Sequence, residues 1–362
     1  MTRIRFLLLP ALLAAVVSGC GNSERGSAAL TAAERLVDQA STNGVVDKGA
    51  VQDALRGVGL PQGVTSDDLL DQLMSHRWKT KDSTVGNLFA WIGSDAGSSD
   101  AATSTRAGES ATMLARYVAD HSSKLLNVDG PRTSAVGEVN PELVQSLAVA
   151  FTPYLRDLAG ASPEFVTSRG FTAPDPLGNL QRPKAQNIFA VIDSGATSAL
   201  DLNRQAVETI AKLQSDWTRS WLADPQNPEL QLAYYAGTLK GLVTRGLDTE
   251  AADRADDQSK DPKEVAPRVS VSNDLDPAHT VYEIARTLQD ADDPLAHDPR
   301  YDNLFQPDGR LEDYRTLVDS KSTSTLYSDL LNIVNTYRGG AMKNAVQDLE
   351  AYMRQAAEAV LR

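Results

Sequence analysis

The chain has 362 residues, with 35 Lys and Arg against 48 Asp and Glu, and a formal net charge of −13. That balance argues against a nucleic-acid binder, which needs clustered basic side chains, and against adsorption of the body onto anionic lipid head groups. Hydrophobic residues make up 41% and Cys20 is the only cysteine, so the chain holds enough apolar material for one large or two medium domains and forms no internal disulfide.

In chain order, the first residues have the parts of an export signal. Arg3 and Arg5 make a positive start, and Phe6 to Val17 is an apolar run interrupted by Pro10. At ~1.5 Å per residue such a run spans roughly 18 Å as a helix, short of the ~30 Å hydrocarbon core, so no permanent transmembrane helix is expected there. Val17-Ser18-Gly19-Cys20 follows. This tetrapeptide resembles the lipobox of bacterial lipoproteins. The resemblance implies a diacylglycerol on the Cys20 sulfur, cleavage of residues 1–19 as a signal peptide, and a mature chain anchored to the extracytoplasmic face of the cell membrane. A lone cysteine at this place agrees with acylation, since exported proteins otherwise use cysteine in pairs. Each buried methylene of the acyl chains adds ~0.8 kcal/mol to the anchoring. Residues 20–28, rich in Ser and Gly from Asn22 to Ala28, read as a short tether.

From there the periodicity is helical nearly everywhere, and the expected class is all-α, built of helical hairpins or a bundle. Thr31-Ala32-Ala33-Glu34 has capping-box form. Asp47 to Leu55 and Ser66 to Met74 are helical stretches, the second opening on Ser66-Asp67-Asp68, an N-cap followed by acids that suit the helix dipole. Asp95 to Thr105 is small and polar and reads as a loop. Glu109 to Leu126 is helical. Asn140-Pro141-Glu142 is a helix start, and Leu143, Leu147, Phe151 and Leu158 follow at helical spacing, with Pro153 expected to kink or divide them. Ser162 to Arg182 is a proline-rich crossing. Lys184 to Ile192, Ser198 to Leu222 and Pro228 to Val243 are further helices. Val207, Ile210, Leu213 and Trp217 share one face of the second of these, with Trp221 one turn beyond.

Asp248 to Glu264 is dominated by charge and reads as a mobile linker. The domain plan is then a helical domain over 29–247, an acidic linker over 248–272, in which Arg268 to Ser272 is the one candidate strand, and a C-terminal helical subdomain over 273–362. In the last part Leu326, Leu330, Ile333, Val334 and Tyr337 make one apolar stripe, Gly339-Gly340 breaks it, and Met342, Val346, Leu349, Met353, Ala357 and Val360 make another. Two stripes joined by a Gly pair predict an antiparallel helical hairpin.

Asn140-Pro141-Glu142-Leu143, Pro153-Tyr154-Leu155-Arg156-Asp157-Leu158-Ala159-Gly160, Gly170-Phe171-Thr172, Asn187-Ile188-Phe189 and Ala236-Gly237-Thr238-Leu239-Lys240-Gly241-Leu242-Val243 occur in that order. Over roughly residues 110 to 250 the chain resembles an actinobacterial family described as TPR repeat region-containing. Its members are linked to type VII secretion and secreted toxins. The resemblance implies a helical, TPR-like body and brings no catalytic residues with it.

Sites of chemistry are sparse. The four histidines, His76, His121, His279 and His297, form no i,i+4 pair and no HExxH. The densest metal candidate, Asp290, Asp292, Asp293, His297, Asp298 and Asp302, lacks EF-hand spacing and sits among prolines, so it reads as a solvated acidic loop. Asp120-His121-Ser122 are sequence neighbours that point apart on a helix and cannot make a triad. No glycine-rich phosphate loop occurs, and no cofactor is expected. Gly237 and Gly241, four apart, suit close approach of a second helix. Trp217 and Trp221 are the candidate binding residues, able to stack on a sugar or anchor a partner, with core packing as the competing reading.

These features predict a membrane-anchored helical lipoprotein that binds a protein partner in the cell envelope, without nucleic acid. The alternatives are an envelope enzyme or small-ligand binder, such as a wall-glycan hydrolase with an exposed tryptophan beside an acidic cleft, and an immunity-type lipoprotein.

Overall fold

The computed structural model describes residues 17–41, 46–78, 82–291, 295 and 298–362. The fold is all-α. The helices in chain order are α1 (Val17–Ser41), α2 (Lys48–Leu55), α3 (Ser66–Ser75), α4 (Asp82–Asn87), α5 (Ala90–Ala96), α6 (Ala101–Asp120), α7 (Ser122–Leu126), α8 (Val136–Val139), α9 (Pro141–Phe151), α10 (Leu155–Leu158), α11 (Pro183–Asp193), α12 (Ala196–Ala223), α13 (Leu230–Asp257), α14 (Pro277–Ala291), α15 (Tyr314–Ser320), α16 (Thr323–Thr336) and α17 (Lys343–Leu361). Short 3-10 turns link several of them. None of the helices among the described residues is long and apolar enough to cross a membrane.

Local signals explain most of the boundaries. Thr65, not the expected Ser66, caps α3 in a reciprocal box: its hydroxyl accepts from the Asp68 N–H, and Asp68 accepts from the Thr65 N–H at 2.8 Å, leaving Ser66 as the first helical residue. Pro141 takes the first position of α9, where its missing N–H costs nothing. A 3-10 turn over Thr152–Tyr154 divides α9 from α10 at Pro153, as expected of a proline at that point. Asn140 departs from its expected capping role. Its amide donates to the carbonyls of Met74 and His76 at 2.6 and 2.8 Å, so the side chain joins α9 to the end of α3 rather than closing its own helix.

Four local readings are corrected. The small-residue stretch from Asp95 to Thr105 is not a loop throughout, because Asp100 accepts from the Thr103 N–H at 2.8 Å and α6 starts at Ala101. The end of the stretch lies against the later crossing: a Cβ on Gly170 would fall 2.4 Å from the Thr105 carbonyl oxygen. The supposed tether is helical, since residues 20–28 lie within α1, which buries Ala29, Ala33 and Val37. The acidic stretch is helical up to Asp257, with Glu250, Ala251 and Ala255 buried. The buried Glu250 is paired both within its own helix and across the fold. Glu250 accepts from Arg254 at 2.9 Å and from Arg268 at 2.7 Å, and Arg268 also reaches Glu138. Arg268 to Ser272 forms no strand, and among the described residues the isolated bridge is Phe305 with Leu311. A single hydrophobic cluster holds Leu239 and Leu242 together with Leu330 and Leu349, so residues 248–272 do not divide the described core.

The last correction concerns the C-terminal hairpin. The break is where expected, with Arg338, Gly339 and Gly340 all at positive φ. But α17 leaves α16 and lies along α13, its principal neighbour. Gly237 and Gly241 are why. A Cβ on Gly237 would meet the backbone of Met353, and one on Gly241 would meet Val360 and Ala357. Without side chains at those positions α13 offers a flat face, and α17 seats against it through Met353, Ala357 and Val360. Helix α13 is thereby enclosed by α11, α12 and α17, while α14 packs on α12 and α16.

Candidate functional site

The most ligand-like feature is a groove of about 610 Å³ between two helix pairs. Helices α13 and α17 make one wall, and α14 and α16 the other. The volume falls within the ~300–1,000 Å³ typical of small-ligand clefts. Met353, Ala357, Leu361 and Pro277 line it with apolar surface, and the remaining lining is polar, with Lys240, Tyr327 and Glu350 beside Asp276, Arg354 and Glu358.

Lys240, Tyr327 and Glu350 are each placed by their helix. Lys240 lies between Gly237 and Gly241 on the tightly packed face of α13, so its stem is buried and its ammonium emerges at the groove. It donates to the Leu275 carbonyl at 2.6 Å. Burial lowers its pKa, opposed by the nearby charges of Asp276 and Glu350. Glu350 occupies the stripe that also carries Val346 and Met353. Burial raises its pKa, and a hydrogen bond from Tyr327 opposes the shift. The Tyr327 hydroxyl donates to Glu350 Oε2 at 3.1 Å, and burial followed by the Glu350 charge pushes its own pKa up to about 12. Glu350 Oε1 is buried and has no hydrogen-bond partner among the described residues. An apolar groove with a half-buried lysine, a carboxylate and a phenol, all perturbed by burial, has the physical signature of a binding or reactive site.

A second cleft, of about 580 Å³, lies between α12, α14 and α15. His279 Nδ1 is 2.7 Å from the Asp274 carbonyl oxygen, and its Nε2 is 3.6 Å from Glu283 Oε1. Its ring lies 4.5 Å from that of Tyr314. Glu283 also accepts from Arg286 at 2.6 Å, so its carboxylate is shared between His279 and Arg286. Arg204, Lys212 and Arg219 stand on the rim. The floor of this cleft is a satisfied polar network, unlike the groove beside Glu350.

The residues expected from sequence fare differently. Trp217 and Trp221 are 0% and 2% exposed, on the face of α12 that turns into the core, and neither lines the groove. They are packing residues; the binding role expected for them is corrected, because no ring face is open to a sugar or partner. Trp78 and Trp91 are buried as well, and Trp78 Nε1 donates to the Leu73 carbonyl at 2.9 Å. Cys20 lies on α1. Of the acidic metal candidate, Asp292, Asp293 and His297 lie outside the described residues, and among the described residues no three His, Cys, Asp or Glu stand together as metal ligands. His121 ends α6, stacked on Tyr117 at 4.5 Å, and forms no triad with Asp120 and Ser122.

Most of the quoted motif residues that carry the family resemblance are structural. Tyr154 stacks on Phe171 with ring centroids 4.4 Å apart. The Thr172 N–H donates to the Thr112 hydroxyl at 2.8 Å, and Gly170, at φ +73°, fits against the backbone of Thr105. Gly160, at φ +82°, lies directly beneath the buried Arg182 guanidinium. Asn187 donates to the Ala119 carbonyl at 2.9 Å. Together they clamp the 162–182 crossing onto α6 and α11. Lys240 is the exception, since it reaches the groove.

Sequence reasoning missed Lys240, Tyr327 and Glu350 as a group. One signal was available: Glu350 falls four residues after Val346 and three before Met353, a carboxylate set in an apolar stripe. No protein-family profile, no curated protein and no solved structure matches the chain.

Proposed function

We propose that the chain is an exported lipoprotein, held to the extracytoplasmic face of the membrane by lipid on Cys20, that binds a protein partner in the cell envelope. The observation that carries the reading is the lone cysteine directly after Val17-Ser18-Gly19, behind a charged start and an apolar run too short to span a bilayer. The groove between α13/α17 and α14/α16 supports the binding role. Apolar walls between helix pairs suit a partner segment that presents apolar side chains. The resemblance over residues 110–250 points toward exported helical substrates or components of type VII secretion as the partner class. A wall-glycan hydrolase fits less well, because Trp217 and Trp221 are enclosed in the core.

Affinity capture from envelope extracts with the membrane-reconstituted full chain tests the reading. A recurrent protein partner, lost when the groove is filled by Ser328→Trp at an exposed position of its lining, is the expected result. Repeated capture of no protein overturns it.

A further inference from the structure

We infer that the cleft between α12, α14 and α15 binds the phosphate group of a small hydroxyl-bearing molecule, held by Lys212 and Arg219 at its rim. This does not rest on the protein-binding role proposed above. Helix α14 gives different residues to the two cavities: Pro277 and Thr280 to the groove, His279, Glu283 and Arg286 to the cleft.

The inference comes from three cations that meet one carboxylate. Asp216 Oδ2 accepts from Arg156 Nη2 at 3.0 Å, and Arg156 is fixed further by the Phe165 carbonyl at 3.1 Å, so that pair belongs to the framework. Asp216 Oδ1 is approached by Lys212 Nζ at 3.4 Å and by Arg219 Nη1 at 3.3 Å. Both contacts are longer than the ~2.7–2.9 Å of a firm charge-assisted bond, and both side chains are more than half exposed, at 64% and 58%. Among the described residues neither makes another ion pair within 4.0 Å. Two positive charges therefore lack a counter-charge, on a chain whose net charge is −13. Because both head groups reach the same oxygen, they stand no more than about 7 Å apart, within the roughly 5–8 Å that separates donors on different oxygens of one phosphate. A phosphomonoester carries close to two negative charges at neutral pH and closes the balance; a carboxylate or sulfate closes half of it.

The rest of the cleft defines the body that carries the phosphate. Lys212 and Arg219 stand two turns apart on α12, and Ser215 between them is tied to Thr287 of α14 at 2.9 Å, so the phosphate end is braced by a helix contact. Elsewhere the exposed lining includes Glu208, Ser270 and Asp313. Carboxylate and hydroxyl oxygens accept hydrogen bonds from hydroxyl groups, and the two carboxylates repel a second anionic group, so the ligand's charge is confined to one end. The volume of about 580 Å³ holds a polyol or monosaccharide. Arg204 and Arg315, which make no ion pair among the described residues, raise the positive potential along the rim and draw an anion in at low salt.

The test is calorimetric titration of the full chain, reconstituted in phosphatidylcholine nanodiscs, with glucose 6-phosphate. Saturable binding is expected, weakened about tenfold or more by Lys212→Met and by Arg219→Met singly, the scale of a hydrogen bond between charged groups, and abolished by the two together. Asp216→Asn removes the competing carboxylate and is expected to bind more tightly than the parent, an outcome that a purely structural role for the two cations does not give. Glucose 6-sulfate, with the same body and one charge, is expected to bind severalfold more weakly, and glucose not at all. Arg77→Gln, which removes an exposed cation outside the cleft, is expected to leave binding unchanged. Displacement by dihexanoylphosphatidic acid or by glycerol 3-phosphate, whichever acts at the lower concentration, assigns the phosphate to a lipid head group or to a free polyol phosphate. No saturable binding of glucose 6-phosphate, equal affinity for the sulfate, or a loss in Arg77→Gln as large as in the cleft variants overturns the inference. None of these results bears on capture of a protein partner, because no residue of the groove is altered.

Discussion

Replacing Gly237 with alanine adds one methyl group at the closest point of the α13–α17 contact. In an isolated helix the change is favourable, because alanine exceeds glycine in helix propensity by about 1 kcal/mol. Here the new Cβ would lie 2.1 Å from the Met353 carbonyl oxygen, 2.6 Å from its Cα and 2.7 Å from its carbonyl carbon. All three are backbone atoms, so no rotamer change relieves the clash, and α17 must retreat by roughly 1 Å. A gap of that size forfeits about a quarter to a half of each dispersion contact across it, and a buried side chain makes roughly 40–60 contacts of ~0.1–0.2 kcal/mol each. With Met353, Ala356 and Ala357 at the retreating surface, the loss is on the order of 3–5 kcal/mol. It outweighs the propensity gain and leaves a net destabilisation of about 2–4 kcal/mol. In thermal unfolding followed by circular dichroism, a fall in Tm of about 4–8 °C is expected for a chain of this size. Gly26 is the internal control: it lies in α1 with nothing within 4 Å of an added Cβ, so Gly26→Ala is expected to stabilise by about 0.5–1 kcal/mol. A Gly237→Ala protein as stable as the parent would refute the helix contact as drawn.

Cys20→Ala is expected to release the protein from the membrane or leave it unprocessed, as read by fractionation and by the mass of the mature chain; normal cleavage with unchanged membrane retention refutes lipidation. Trp217→Ala removes a fully enclosed side chain and is expected to cost about 3–5 kcal/mol through cavity formation, while a parallel loss of partner affinity in the still-folded protein would restore a surface role for that residue. Burial pushes the Asp157 carboxyl up to about 6 against the opposing hydrogen bond from Ser168. The folded state therefore holds a proton that the unfolded chain gives up near pH 4, so this group's contribution to stability is present at low pH and is lost as pH rises through about 6. Asp157→Asn is expected to flatten the dependence of Tm on pH between roughly 4 and 6, and an unchanged profile would show that Asp157 does not titrate there.

The helical class was legible because stripes such as Leu326, Leu330 and Ile333 repeat with a period that only a helix buries. The flat face made by Gly237 and Gly241 was legible for the same reason, as two small residues one turn apart. What escaped depends on partners distant in sequence. The run from Asp248 has the composition of a solvated segment, and only the fold brings Arg268 to Glu250 and turns it into helix. Small residues from Asp95 to Thr105 look like a loop until the fold lays Gly170 against Thr105. The tryptophans drew notice for their chemistry, but a position within an amphipathic face does not say how completely neighbouring helices will cover it. The groove was hardest to find, since Lys240 and Glu350 are more than a hundred residues apart and each is an ordinary charged residue until both lose water.

The seating of α17 on α13 also governs the order in which the chain can mature. The helix that receives α17 ends at Asp257, and its cover starts only at Lys343. Some 85 residues must be delivered after α13 before its glycine face is closed. Until those residues arrive, that face and the groove beside it stay open. A chain truncated before Lys343 would leave the Gly237–Gly241 face of α13 uncovered, with no later element to close it.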